Sequence, residues 1–249
     1  MELQAHWLGR VDYRAAWARQ RRLAAARAAG EIPDQLLLVE HPPVLTLGRR
    51  AEGIHVRAPA ELLAARAIEV IRVERGGDVT YHGPGQLVAY PIVHLGDRGV
   101  LVRPFVRALE AAMSAVCATY GVAAGRRDGY PGCWCDPATA ARRKIGALGV
   151  RVERGVTYHG IALNVTTDLA DFELIDPCGM PGVTSTSIAV EAGWPPGSPT
   201  TESVREAAER FAEAFRLALQ GAARSSAAEA APAGREPSQA EPVGTKAGA

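Results

Sequence analysis

Arg75-Gly76-Gly77-Asp78-Val79-Thr80-Tyr81-His82-Gly83-Pro84-Gly85-Gln86 follows directly on the apolar run Ile68 to Val73. A strand that empties into glycines interleaved with polar side chains builds a site. Glycine permits positive φ and lets a ligand approach bare backbone, while Thr80, Tyr81, His82 and Gln86 bring hydrogen-bonding groups to it. The theme returns as Thr157-Tyr158-His159-Gly160, without the double glycine. Read as loops, the two stretches can face one cleft. A single recurrence at so long a spacing does not indicate a solenoid.

Outward from this stretch, the patterning is that of alternating strands and helices. Glu2 to Leu8 reads as a strand, and Tyr13 to Ala28 as an Ala- and Arg-rich helix closed by Gly30 and the Pro33 turn. Leu36 to Val39 and Val44 to Leu47 form two short strands hinged at Pro42 and Pro43. Gln86 to His94 alternates as a strand. Pro104 to Tyr120 is the clearest helix, with Phe105, Leu109, Met113, Val116 and Tyr120 at steps of three and four. Val150 to Glu153 and Gly160 to Val165 read as a hairpin-like pair around the second loop. In the last helix Ser203 and Glu206 resemble a capping box, and Val204, Ala208, Phe211, Phe215 and Leu219 form its apolar face.

After Gly221 the composition shifts to Ala, Ser, Pro, Gly and Glu with hardly a large apolar group. Such a segment cannot bury enough surface to offset its chain entropy, so residues 1–221 are expected to fold and 222–249 to form a disordered tail. With 28 basic and 27 acidic residues the net charge is +1, which gives no overall field for nucleic acid or an anionic membrane. No apolar signal core opens the chain and no run of about 18 apolar residues occurs. A cytoplasmic protein without nucleic-acid or membrane partners is the expectation.

The four cysteines lack the spacing of a disulfide framework. Cys117 falls beside an apolar helix stripe. Cys133-Trp134-Cys135 is half of a metal motif without its partner pair, and strand alternation would instead place both thiols on one apolar face. No metal site is expected. Cys178 differs. Pro177 before it and Gly179 after it would present its thiol on a tight turn, as a nucleophile requires. Lys144 opens Lys144-Ile145-Gly146-Ala147-Leu148-Gly149 at a strand edge, and a lysine beside a thiol favours thiolate, so the two can act as base and nucleophile. Their distance along the chain says nothing about proximity.

Four stretches carry a resemblance: R-G-G-D-V-T-Y-H-G-P-G-Q-L-V-A-Y-P from Arg75, K-I-G-A-L-G-V-R-V from Lys144, G-V-T-Y-H-G-I-A-L-N-V from Gly155, and P-C-G-M from Pro177. In this order they resemble the octanoyltransferases of lipoate biosynthesis, from roughly Leu3 to Leu219. The resemblance implies an α/β fold of the α+β kind, a mixed β-sheet flanked by helices like the catalytic domain of biotin and lipoate protein ligases. It implies transfer of an octanoyl group from acyl carrier protein to a lysine of lipoyl domains, those of 2-oxoacid dehydrogenases and of the glycine cleavage H protein. By position in the motifs, Cys178 would be the nucleophile and Lys144 its activator. Arg75, Gly76, Gly77, Asp78, Val79, Thr80, Tyr81 and His82 would line the acyl site, with Ala147, Leu148 and Gly149 and Gly160, Ile161 and Ala162 as its other walls. No cofactor is expected beyond the phosphopantetheine that carries the acyl donor.

Thioester exchange is nearly isoenergetic and aminolysis to an amide runs downhill, so this chemistry needs no ATP. Backbone amides near Gly77 or Gly179 can hold the oxyanion, and the residues do not choose between them. His82 and His159 either bond within the site wall or shape their loops. Arg49, Arg50, Arg142 and Arg143 either meet an acidic carrier protein or remain a solvated surface. The alternative within the same fold is an ATP-dependent lipoate or biotin ligase, which does not need a presented thiol; a protein that only binds carrier or lipoyl domains is the alternative outside catalysis.

Overall fold

The structure, a computed structural model, describes residues 2–51, 55–176, 182–195 and 200–230. Its centre is a mixed sheet in the order β1-β2-β6-β10-β9-β8-β7, with a short β11 on β9. The strands are β1 Leu3–Arg10, β2 Asp34–Glu40, β6 Gln86–Ile92, β7 Ala124–Arg127, β8 Tyr130–Cys135, β9 Arg143–Glu153, β10 Val156–Asn164 and β11 Thr184–Ser185. β1 and β2 run parallel, as do β9 and β11, while the other neighbours are antiparallel. A second sheet, β4-β3-β5, is made of Glu69–Arg72, Val44–Leu47 and Val79–His82.

Alternation along the central strands explains why they read as unbroken apolar runs. Leu36 and Leu38 of β2 and Leu87 and Ala89 of β6 join the main core. Their neighbours Leu37, Val39, Val88 and Tyr90 pack on the opposite face with Ala16. A sheet buried on both sides needs apolar residues at both phases of the pleat. Helices α2 (Ala60–Ala65) and α4 (Ile188–Glu191) are short; helix α3 (Val102–Thr119) and helix α5 (Thr200–Ala230) cover one face of the central sheet, meeting through Phe105 and Phe215 edge to face. Helix α1 (Tyr13–Ala28) covers the other, capped by Asp12, whose carboxylate accepts the Ala15 N–H at 2.9 Å. The small sheet has its own core of Leu45, Leu47, Val79, Tyr81, Leu174 and Ile175.

Three readings of the sequence are corrected. The T-Y-H-G stretches are strands, not loops: Thr80 to His82 lies in β5 and Thr157 to Gly160 in β10. The turn between β9 and β10 is only Arg154 and Gly155, both at positive φ (48° and 78°), the twist a tight hairpin requires. The boundary at 221 is also overturned, because α5 runs through Gly221 to Ala230. Ala222 is buried, and the buried Ser226 hydroxyl accepts the Leu101 N–H at 2.9 Å where α3 begins. Residues 231–249 of the expected tail lie outside the described residues. Finally, α5 starts at Thr200, so Ser203 sits inside its first turn and is not the cap.

Candidate active site

Two adjoining cavities, of about 40 and 10 Å³, form a narrow slot between β5 and the β9–β10 hairpin, sharing Thr80, Ala147 and Ala162 as wall. Arg75, Gly77, Asp78, Val79, Thr80 and His82 line the larger cavity on one side. Ala147, Leu148, Gly149, Gly160, Ile161 and Ala162 line it on the other, together with His159. Two residues of the expected wall stand outside. Tyr81 points to the opposite face of β5, edge to face with Phe172 in the small sheet's core. Gly76 turns its backbone to the hairpin, its N–H donating to Val150 O at 3.1 Å. The slot is thin because backbones meet there: a Cβ on Gly149 would lie 2.6 Å from Gly76 O.

Lys144 lines the smaller cavity with Gln86, Asn164, Phe172 and Ser185. It is 5% exposed, and its Nζ lies 5.0 Å from the centroid of the Trp134 ring, a cation–π distance. The register of β8 on β9 shifts between Cys133, opposite Gly146, and Trp134, opposite Lys144. That irregularity sets the lysine against the indole. Ser185 pairs with Lys144 across β11, and Thr186 N–H donates to Lys144 O at 2.9 Å. Cys178 lies outside the described residues.

A chain of buried hydrogen bonds links the two ends of the slot. The Arg75 guanidinium donates to Thr46 Oγ1 at 2.9 and 3.2 Å, which leaves the hydroxyl proton for His82 Nε2 at 3.4 Å. His82 Nδ1–H donates to Gln86 Oε1 at 2.8 Å, Gln86 Nε2 to Asn164 Oδ1 at 2.9 Å, and Asn164 Nδ2 to Thr186 O at 2.9 Å. Since every amide and hydroxyl is oriented by its neighbour, His82 is held as one neutral tautomer. Burial holds its pKa well below the usual histidine range, with His41 and Arg75 adding to the effect. Behind it, His41 Nδ1–H donates to Val11 O at 2.6 Å and Nε2 accepts the Tyr90 hydroxyl at 2.8 Å. Burial lowers His41 to about 4.

Cys117, Cys133 and Cys135 are all buried in the main core, as alternation in β8 and the α3 stripe imply. Burial pushes the Cys135 thiol up to about 12, where it is inert near neutral pH. Arg143, offered as a docking residue, is engaged elsewhere: its guanidinium pairs with Glu191 at 2.7 Å and Asp136 at 2.9 Å. Arg49 and Arg50 are exposed, and their backbone N–H groups bond Arg75 O and Gly77 O beside the slot.

The family model of the lipoyl protein ligase A/B catalytic domain matches residues 12–216. An octanoyltransferase of Chloroflexus aggregans is 50% identical over 195 residues, covering 78% of this chain and 87% of that relative. The chain belongs to the octanoyltransferase family. An octanoyltransferase of Acidobacterium capsulatum is 46% identical over 223 residues, 86% of this chain and 91% of the relative. A putative lipoate protein ligase from T. acidophilum superposes with a TM-score of 0.60 at 16% identity, covering 90% of this chain and 93% of that one. At that identity the likeness shows the shared fold, a mixed sheet flanked by helices.

For this member of the octanoyltransferase family, sequence reasoning missed Gln20, Thr46, Asn164 and Thr186 as site-building groups. Thr46 and Asn164 left a signal, Thr46 as the one polar residue of Val44–Leu47 and Asn164 as the polar residue that follows the apolar run Ile161 to Leu163. Gln20 left none. It sits in a helix of alanines and arginines whose buried face mixes Tyr13 and Ala16 with Gln20 and Arg27, and it is fully buried where its Oε1 accepts the His159 N–H at 2.9 Å.

Proposed function

We propose that this octanoyltransferase takes its acyl group from octanoyl-acyl carrier protein and passes it to a specific lysine of a lipoyl domain through a thioester on Cys178. The observation that carries the reading is the slot itself: a thin, mostly apolar channel ending at a buried lysine held on an indole face. Its mostly apolar lining suits a hydrocarbon chain. In the first step the Cys178 thiolate attacks the thioester carbonyl, the bond to the phosphopantetheine sulfur breaks, and Lys144 gives that leaving thiolate a proton. In the second, Lys144 accepts a proton from the attacking amine of the acceptor, and the Cys178 thiolate leaves. The lysine ends as it began. No nucleotide or metal takes part in either step, and the carrier and lipoyl domains meet the enzyme in the cytoplasm.

Support for Cys178 comes from its motif, Pro177-Cys178-Gly179-Met180. The experiment is transfer from purified octanoyl carrier protein to an apo lipoyl domain with nucleotide removed, beside an assay of isotope exchange between pyrophosphate and ATP with free octanoate. Transfer without nucleotide and no exchange is expected. Exchange, with transfer only when ATP is added, would instead establish the ligase reaction.

A further inference from the structure

His159 breaks the alternation of its strand. In an extended strand successive side chains point to opposite faces, yet the rings of Tyr158 and His159 lie 5.0 Å apart and 29° from parallel. The cause is a left-handed backbone at His159, φ 55°. Pro91 of β6 has no N–H to offer the ladder here, and Gly160 packs so tightly that a Cβ on it would lie 2.0 Å from Ala89 O. Beyond this point β10 pairs regularly with β6, from Ile161 opposite Ala89. The left-handed conformation turns the imidazole into the slot's wall, where it is 1% exposed.

Neither ring nitrogen of His159 has a hydrogen-bond partner among the described residues. Burial, with the nearby Arg75, lowers the ring to about 3, so it is neutral and offers one donor and one acceptor. A non-glycine residue at positive φ and two unsatisfied buried nitrogens are both unfavourable, and such strain concentrates where ligands bind.

We infer that His159 is the floor of the acyl slot and sets the longest chain it accepts. This rests on the acyl-transfer reading above. The position along the sheet gives the length: Gly146, near Lys144, to Gly149, opposite Gly160, is three residues of strand, about 10 Å, close to an extended octanoyl chain. His159 pairs with Val150, one residue further. A shorter chain leaves apolar wall uncovered. A longer one drives methylenes onto the imidazole and covers its two polar nitrogens with hydrocarbon, with no hydrogen bond in return. His159 is thus a specificity-determining residue, not a proton carrier.

The test compares hexanoyl, octanoyl, decanoyl and dodecanoyl carrier proteins as donors to one lipoyl domain, using the wild-type protein, His159→Gly and His159→Asn. Glycine adopts the same φ and removes the floor, so the decanoyl-to-octanoyl ratio of kcat/KM should rise about 10-fold or more. Asparagine also tolerates positive φ and should move the ratio in the same direction by less, which serves if the glycine variant does not fold. A merely structural histidine would lower all chain lengths alike. Folded variants with the wild-type ratio overturn the inference alone, whereas a wild-type protein that transfers from no carrier thioester removes the reading beneath it.

Discussion

Lys144 is held by its surroundings at both ends: its backbone oxygen accepts from Thr186 and its ammonium rests on Trp134. Arginine keeps the charge and can stack on the indole, but it cannot act as a base near neutral pH because its pKa is above about 12. Lys144→Arg should therefore lower transfer by roughly 10²-fold or more while iodoacetamide still alkylates Cys178. Near-normal transfer by the folded variant would remove the proton-transfer role. At this scale much of the site was readable, since glycines next to polar residues can only be explained by a turn, a close approach or a ligand. What was hidden is direction. Tyr81 and His82 are neighbours in one motif, and only the phase of β5 sends the first into a core and the second to the slot. His159 escapes even phase, because its left-handed backbone turns its ring toward that of Tyr158.

The elements were legible wherever apolar residues recur at one period, as in α3, and where they run unbroken, as in β2. The β9–β10 hairpin was underestimated because its slot-facing residues are glycine and alanine, which carry little periodic signal. Composition misled most in α5, where alanine and serine after Gly221 suggested a tail. Alanine has the highest helix propensity, and small side chains are what allow α5 to lie close over the start of α3. The contact is specific, with Ser226 Oγ accepting the Leu101 N–H and donating to Ala222 O at 2.8 Å. Ser226→Ala strands that N–H and should cost about 1 kcal/mol in urea unfolding, and deletion of residues 222–249 should cost more. A truncated protein with unchanged Tm would return the boundary to Gly221.

The whole molecule wraps a two-sided sheet around polar groups that it keeps dry, and this makes its stability depend on pH. His41 and His159, lowered to about 4 and about 3, and His82, lowered well below 6.5, stay neutral in the fold, whereas each titrates near 6.5 once unfolded. The unfolded chain therefore binds protons first as pH drops. Stability is full above about 6.5 and is lost as pH falls from there toward 4, by up to about 1.4 kcal/mol per pH unit for each histidine. Urea midpoints at pH 7.5, 6 and 5 should fall in that order, with a shallower decline in His41→Gln; a flat profile would mean that these rings are not buried neutral. The fold's outline followed from the sequence through apolar patterning, while the joining of two sheets around one slot depends on long-range pairing that no local pattern encodes. The proposed acyl transfer passes through a covalent intermediate at that slot. Intact-mass and peptide analysis of the protein after incubation with octanoyl carrier protein should show one octanoyl group on the peptide containing Cys178. Addition of an apo lipoyl domain should then move it to a lysine of that domain. Transfer to the domain with no acyl group ever found on the protein, or with the group on another residue, would contradict the account.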